Sequence, residues 1–406
     1  MRSLIISRAI IQTSLREIAA ATILLLLAPA LATAQDSSLS ADMHVEHMFN
    51  RAEAGYVQDQ LKMARAYQLG KGVQHDPVEA AQWFLKAANF GSLEAQTQIG
   101  YLYVRGEGVP RDEQQAFKWF QRAAAEGYAP AQYDLAYLML NGLGARQDLQ
   151  GSITWFTQAA NQGFAPAQVN LAILYFHGMG VERNPAEAMR WCQEAAKQHY
   201  AAGEFLLGTM YETGVGTARD ISQAARWYRK AVDQGNSQAE NNLAVLYEEG
   251  AGVPQDINEA IRLYKLSAEK GDGNSYMNLA HLYAGKRGLA PDYSQAYFWA
   301  LLAQRSGWLM SSRPTQEFLE KLRNHLSPEQ VPSVEAQVGE WDSKHPPNPT
   351  ISKLGETWSF LPKTAANVSN GGEVFLSKGR AAKTRLFSPR EKFAHHGALF
   401  SLTPSI

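Results

Sequence analysis

One spacing governs this chain. From Gly127, steps of 36 residues reach Gly163, His199, Gly235, Gly271 and Gly307, and backward steps reach Gly91 and Gly55. From Trp119 the same step gives Trp155, Trp191, Trp227, Leu263 and Trp299, and backwards Trp83. From Asp112 it gives Asp148, Asn184, Asp220, Asp256 and Asp292, and backwards Asp76. Seven units of one length run from Tyr56 to Gly307 without an insertion. A fixed period of this size is the mark of a solenoid, in which each unit buries its apolar face only against its neighbours. The pair Gly106/Gly108 in "YVRGEGVPRDEQQAF" has the look of a phosphate-cradling loop. It recurs as Gly70/Gly72, Gly142/Gly144, Gly178/Gly180, Gly214/Gly216 and Gly250/Gly252, degenerating to Lys286/Gly288. A nucleotide site is built once, so the pair reads as architecture.

Residues 92–127 show what one unit contains. Ala95, Ile99 and Tyr103 recur at steps of four, which places them on one face of a helix. Gly100 and its equivalents Ala64, Ala136, Ala172, Gly208, Ala244 and Ala280 are small, allowing a neighbouring helix to come close. Gly106 can end that helix in the left-handed conformation. Asp112 stands just before "EQQAFKWFQRAAAEG", where its carboxylate can accept from the free N–H groups of a second helix. That helix presents Ala116, Trp119, Phe120 and Ala123 at spacings of three and four. Two antiparallel helices joined by a short glycine turn make an αα-hairpin. The aligned tryptophans, set among alanines, read as inter-repeat core rather than stacking platforms for sugars or bases. Leu263 in one of their places agrees, since an aliphatic packs but does not stack.

The pattern A-x-x-x-L-[GA]-x-x-Y-x-x-G-x-G-V-x-x-D, followed by A-x-x-W-x-x-x-A-A-x-x-G, resembles the Sel-1-like repeat, a branch of the tetratricopeptide-like α-solenoids. The resemblance covers roughly residues 56–307. Its local departures are Met139 in the tyrosine column, Ser152 in the alanine column, His199 in the terminal glycine column and Lys286 in the last glycine pair. It implies an all-α, right-handed α-solenoid of seven stacked hairpins with helical caps, whose first helices line a concave groove. It also implies a protein–protein scaffold without catalysis. Cysteine-rich members of the family resemble β-lactamases in activity but carry paired cysteines in each repeat, whereas this chain has Cys192 alone.

Composition narrows the setting. The chain has 406 residues and a formal charge of −1, which supplies no electrostatic reason to expect nucleic acid or a membrane surface as the main partner. Its start, "MRSLIISRAIIQTSLREIAAATILLLLAPALATAQ", has Arg2, Arg8 and Arg16, then an apolar core from Ile18 to Leu31, then Ala32-Thr33-Ala34. This is the layout of a signal peptide over 1–34, with an uncleaved anchor as the alternative. The apolar core is shorter than the roughly 20 residues of a membrane span. Export, to a periplasm or beyond the cell, is therefore expected, with no span in the mature chain. A single cysteine permits no intramolecular disulfide, and beside Trp191 it reads as a buried inert thiol.

A partner would meet the face of the first helix opposite Ile99 and Tyr103, occupied at about 100° per residue by positions 94, 98, 101 and 105. Column 98 contains Lys62, Gln98, Asp134, Asn170, Leu206, Asn242 and Asn278. Column 101 contains Arg65, Tyr101, Tyr137, Ile173, Thr209, Val245 and His281. Gln98, Asp134, Asn170, Asn242 and Asn278 form a ladder of short polar groups able to hydrogen-bond an extended peptide, with Tyr101 and Tyr137 for apolar contact. The bland alternative is a merely solvated face. The face also changes sign, from Lys62, Arg65 and Arg105 to Glu212, Glu248 and Glu249.

The ends differ from the middle. Residues 35–55 read as an N-terminal helical cap, on which His44 and His47 have metal-ligand spacing but no carboxylate or cysteine beside them. Residues 308–341 read as a C-terminal cap of two helices broken near Ser327-Pro328. Residues 342–406, with nine Lys or Arg against four Asp or Glu and no periodicity, read as a disordered basic tail. No nucleophile–histidine–acid set or metal cluster stands out, and no cofactor is expected. The reading is a non-catalytic envelope scaffold holding a protein or peptide partner. A cell-wall or polysaccharide-binding module is the alternative and would depend on exposed Tyr101 and Tyr137. The sequence is silent on oligomeric state.

Overall fold

A computed structural model describes residues 45–306 and 313–345. The leader, His44 and residues 346–406 of the expected tail lie outside the described residues. The described residues hold seventeen α-helices and no strand. The chain divides into two compact units, one ending at Glu126 and one beginning at Gly127. The first contains α1 (residues 45–53), α2 (Val57–Leu69), α3 (Pro77–Asn89), α4 (Leu93–Arg105) and α5 (Glu113–Ala125). The second contains α6 (Ala129–Asn141), α7 (Leu149–Asn161), α8 (Ala165–His177), α9 (Pro185–Lys197), α10 (Ala201–Thr213) and α11 (Ile221–Asp233). It continues through α12 (Ser237–Glu249), α13 (Ile257–Glu269), α14 (Gly273–Tyr283), α15 (Tyr293–Arg305), α16 (Arg313–Arg323) and α17 (Gln330–Lys344). Within each unit every helix from α2 onward packs on the next in chain order as far as α15, on which α16 and α17 both close. This is the stacking of an α-solenoid.

The repeated residues do what their chemistry dictates. Asp76, Asp112, Asp148, Asn184, Asp220, Asp256 and Asp292 all stand at N-caps and accept from the backbone N–H of the second or third helical residue. The first glycine of each pair from Gly70 to Gly250 ends its helix with φ between 64° and 73°. The second glycine answers a different need. A Cβ on Gly108 would lie 1.8 Å from the Pro77 carbonyl oxygen, so only glycine lets the turn rest on the start of the previous hairpin's second helix. His199 keeps the terminal-glycine conformation, at φ 56°, despite its side chain. Where the last pair degenerates, α14 is two residues shorter than the other repeat helices, and Gly285, Arg287 and Gly288 all take positive φ.

The core is centred one residue away from the tryptophans. Phe84, Phe120, Phe156, Tyr228 and Tyr264, at the position after each, are among the largest fully buried side chains. The small column exists for them: a Cβ on Gly100 would lie 2.6 Å from the Phe120 ring, and one on Gly208 2.5 Å from the Tyr228 ring. The tryptophan column itself splits, which corrects the expectation of a uniformly buried row. Trp83, Trp191, Leu263 and Trp299 are buried, but Trp119, Trp155 and Trp227 are half-buried. Cations lie over two of the half-buried rings, Arg122 at 4.9 Å from the Trp119 ring centre and Lys230 at 4.0 Å from that of Trp227.

A second column, unread in the sequence, ties each hairpin to the one before it and closes hairpins of the second unit on themselves. Gln60, Gln96 and Gln168 each donate to a carbonyl eight residues earlier. In the second unit the same column is gripped from the end of the next helix: Gln162 on Gln132, Gln198 on Gln168, Gln234 on Glu204 and Lys270 on Glu240. At the C-terminal end, α17 passes the expected tail boundary because Asp342 pairs with Arg305 at 2.6 Å and Trp341 packs edge-on against Trp299.

Candidate functional site

In the first unit, Gln98 and Tyr101 are half-buried on α4. Tyr101 packs edge-on to Phe120 at 5.4 Å and lies under the Arg105 guanidinium at 5.8 Å, so one face of its ring is already engaged. In the second unit, Asp134 and Tyr137 are half-buried on α6, as are Asn242 on α12 and Asn278 on α14. Asn170 corrects the expectation of a solvent-facing ladder, being 4% exposed. Its neighbours along α8, Val169, Leu171, Ala172, Ile173 and Leu174, are buried with it. Asn170 lies beside the Tyr133 hydroxyl, which burial pushes well above the ordinary tyrosine range.

The other two asparagines are brought together. Asn241 Nδ2 donates to Asn242 Oδ1 at 3.2 Å, and Asn241 Oδ1 accepts from Asn278 Nδ2 at 3.0 Å and from Ser275 Oγ at 3.1 Å. Asn242 Nδ2 in turn donates to the Tyr228 phenol oxygen at 3.2 Å. That phenol donates to Glu212 Oε2 at 2.5 Å, with Thr209 Oγ1 also 3.2 Å away. One polar network thus runs from α10 across α11 and α12 to α14. Burial holds the Glu212 carboxyl above its ordinary value, with Glu249 adding to the effect and Tyr228 and Arg219 opposing it.

Of the charges expected to change sign along the face, all but Glu212 are paired among the described residues, Arg105 with Glu107 at 3.7 Å. Lys62 meets Asp59 at 3.3 Å and Arg65 meets Glu94. Glu248, buried, receives Lys286 at 2.8 Å and Arg287 at 3.2 Å, while Arg287 also reaches Glu249 at 3.5 Å. Glu212 is left as the acidic group of that set without an ion pair among the described residues.

The signal that would have revealed this network lies in two columns read together. Phe120 and Phe156 have Val104 and Leu140 sixteen residues earlier, whereas Tyr228 and Tyr264 have Glu212 and Glu248. A hydroxyl appears only where a carboxylate faces it. Among the described residues no group of three or more His, Cys, Asp or Glu is arranged for a metal, and no helix is long and apolar enough to cross a membrane.

The Sel1 repeat model matches seven consecutive segments, 57–91, 93–128, 129–164, 165–200, 201–236, 237–272 and 273–307. The chain belongs to the Sel1 repeat family. Sel1 repeats typically serve as protein–protein interaction scaffolds and are generally non-catalytic. The chain is similar to the crystal structure of a Sel1 repeat protein from Oxalobacter formigenes, at 30% identity and a TM-score of 0.55, over 70% of this chain and 81% of that one. It is also similar to c5321, a protective antigen present in uropathogenic Escherichia coli strains, at 25% identity and a TM-score of 0.45, over 84% of this chain and 76% of that one. No curated protein matches the chain. Where the Sel1 pattern breaks, at His199 and Lys286, the residues have found contacts of their own, with Glu204 at 3.7 Å and with Glu248.

Proposed function

We propose that this Sel1 repeat protein is a non-catalytic scaffold of the bacterial envelope that holds a protein or peptide partner along the first helices of its hairpins. The observation that carries the reading is the half-buried polar row of the second unit. Asp134, Asn242 and Asn278 alternate along it with the apolar Leu206 and Val245, and with Tyr137. An extended peptide needs such a surface, with amides for its backbone and apolar places for alternate side chains. The network already orders Asn242 and Asn278, so their rotamers need not be frozen when a partner arrives. The leader over 1–34 supports an exported, periplasmic location. The lone Cys192 is buried, and its thiol is pushed up to about 12, which argues against a nucleophile. The experiment is crosslinking in living cells from a photoreactive residue at Tyr137 or Asn278, followed by mass spectrometry. One discrete protein adduct, lost when Tyr137, Asn242 and Asn278 are replaced together by alanine in a chain crosslinking from a neighbouring position, is expected. An adduct indifferent to those substitutions removes the groove from the reading.

A further inference from the structure

Two hairpins of the second unit carry the same tyrosine–glutamate pair, and the fold neutralises only one of them. In the later hairpin, Tyr264 donates to Glu248 Oε2 at 2.9 Å. The other oxygen, Oε1, receives Lys286 Nζ at 2.8 Å and Arg287 Nε at 3.2 Å, both supplied by the turn after α14. The earlier hairpin repeats the arrangement, with the fully buried Tyr228 donating to Glu212 Oε2 at 2.5 Å. One period back from Lys286 and Arg287, however, stand Gly250 and Ala251. Among the described residues no Lys, Arg or His nitrogen comes within 4.0 Å of the Glu212 carboxylate. Arg219 is near enough to act on it but spends its Nε on the Glu212 backbone carbonyl at 2.9 Å.

We propose that Glu212 is the acceptor for one lysine or arginine side chain of the partner polypeptide, which enters the place that Lys286 and Arg287 fill for Glu248. The inference rests on the groove reading above and gives the partner its chemistry. A carboxylate partly withdrawn from water is costly unless a cation compensates it, and here the fold supplies the orienting phenol but no cation in contact, Arg219 acting only from a distance. Glu249 adds a second negative charge close to Glu212. A polypeptide cation is favoured over a free ion because Asn242, hydrogen-bonded to the same phenol, leads directly to Asn241 and Asn278. A backbone lying along those amides brings its side chain to Glu212.

The test is selection from a phage-displayed random peptide library on the full chain, compared with the same selection on Glu212→Gln, which keeps an acceptor for Tyr228. The wild type is expected to enrich peptides with Lys or Arg at one fixed place. Replacing that residue by norleucine should weaken binding to the wild type about thirtyfold, and leave binding to Glu212→Gln nearly unchanged. Zero-length carbodiimide coupling of a lysine peptide to the wild-type chain provides a measurement independent of the variant's folding, and Glu212 should carry the link. Enriched peptides without a fixed cation, or a preference that persists in Glu212→Gln, overturn this inference while leaving the groove reading intact. A wild type that enriches no peptide overturns both. A link from Glu212 to a lysine within residues 346–406 of the same chain assigns the place to the C-terminal segment and overturns the partner.

Discussion

The Tyr228 phenol donates to the Glu212 carboxylate across 2.5 Å, from the second helix of a hairpin to the first helix of the same hairpin. In two earlier hairpins the equivalent positions hold Phe120 with Val104 and Phe156 with Leu140. At these positions the second unit carries a hydrogen-bonded tyrosine–glutamate pair in two successive hairpins, Tyr228 with Glu212 and Tyr264 with Glu248.

That relation is testable as a cycle. Tyr228→Phe should destabilise the second unit by about 1–3 kcal/mol, because it leaves Glu212 and Asn242 without a shared partner. Glu212→Leu combined with Tyr228→Phe gives the apolar combination found at Leu140 and Phe156 and should recover most of that loss. Urea denaturation of the three variants measures it. Strictly additive costs would show that the two residues do not act as a pair.

Glu212 also gives stability a pH dependence of definite sign. Burial raises its carboxyl above the ordinary 4.5, so the folded chain holds that proton more tightly than the unfolded chain. Its favourable contribution is complete below the unfolded value and is lost as pH rises through the folded one. Glu212→Gln removes the titration, so the variant should gain on the wild type as pH is raised from about 4 to about 7. Thermal melts across that range provide the comparison, and parallel profiles would contradict the raised value.

The two kinds of glycine should respond differently to alanine. Gly91 has φ 88° and open space around a Cβ, so Gly91→Ala should cost only the left-handed strain of about 1–2 kcal/mol. Gly108→Ala adds a collision with the Pro77 carbonyl, 1.8 Å from the new atom, and should cost clearly more. Equal losses in denaturant midpoint would deny the close approach of the two hairpins.

Cys192 supplies a probe of packing. It is 1% exposed, and burial pushes its thiol up to about 12. A thiol reagent at neutral pH should leave the native chain unmodified and label one site per chain in urea. Prompt labelling without denaturant would mean that the α8/α9 hairpin opens readily.

The sequence alone determined the architecture, for a physical reason. Caps, turns and helix faces are local, and repetition at one period turns a weak local preference into a rule. Asp112 and its equivalents had to cap, and Gly106 and its equivalents had to turn left-handed, whatever the neighbouring units did. Column arithmetic went wrong where burial depends on what packs from outside the hairpin. Trp119 and Asn170 share columns with Trp83 and Asn242, yet Trp119 is half-buried where Trp83 is buried, and Asn170 is buried where Asn242 remains half-buried. Charges were harder still to read. Glu248 and Glu212 are the same letter one period apart, and only the folded turn after α14 decides that the first is paired with Lys286 and Arg287 while the second is not. An ion pair is a relation in space between segments distant along the chain, so the tertiary structure alone could settle which acidic group stays uncompensated.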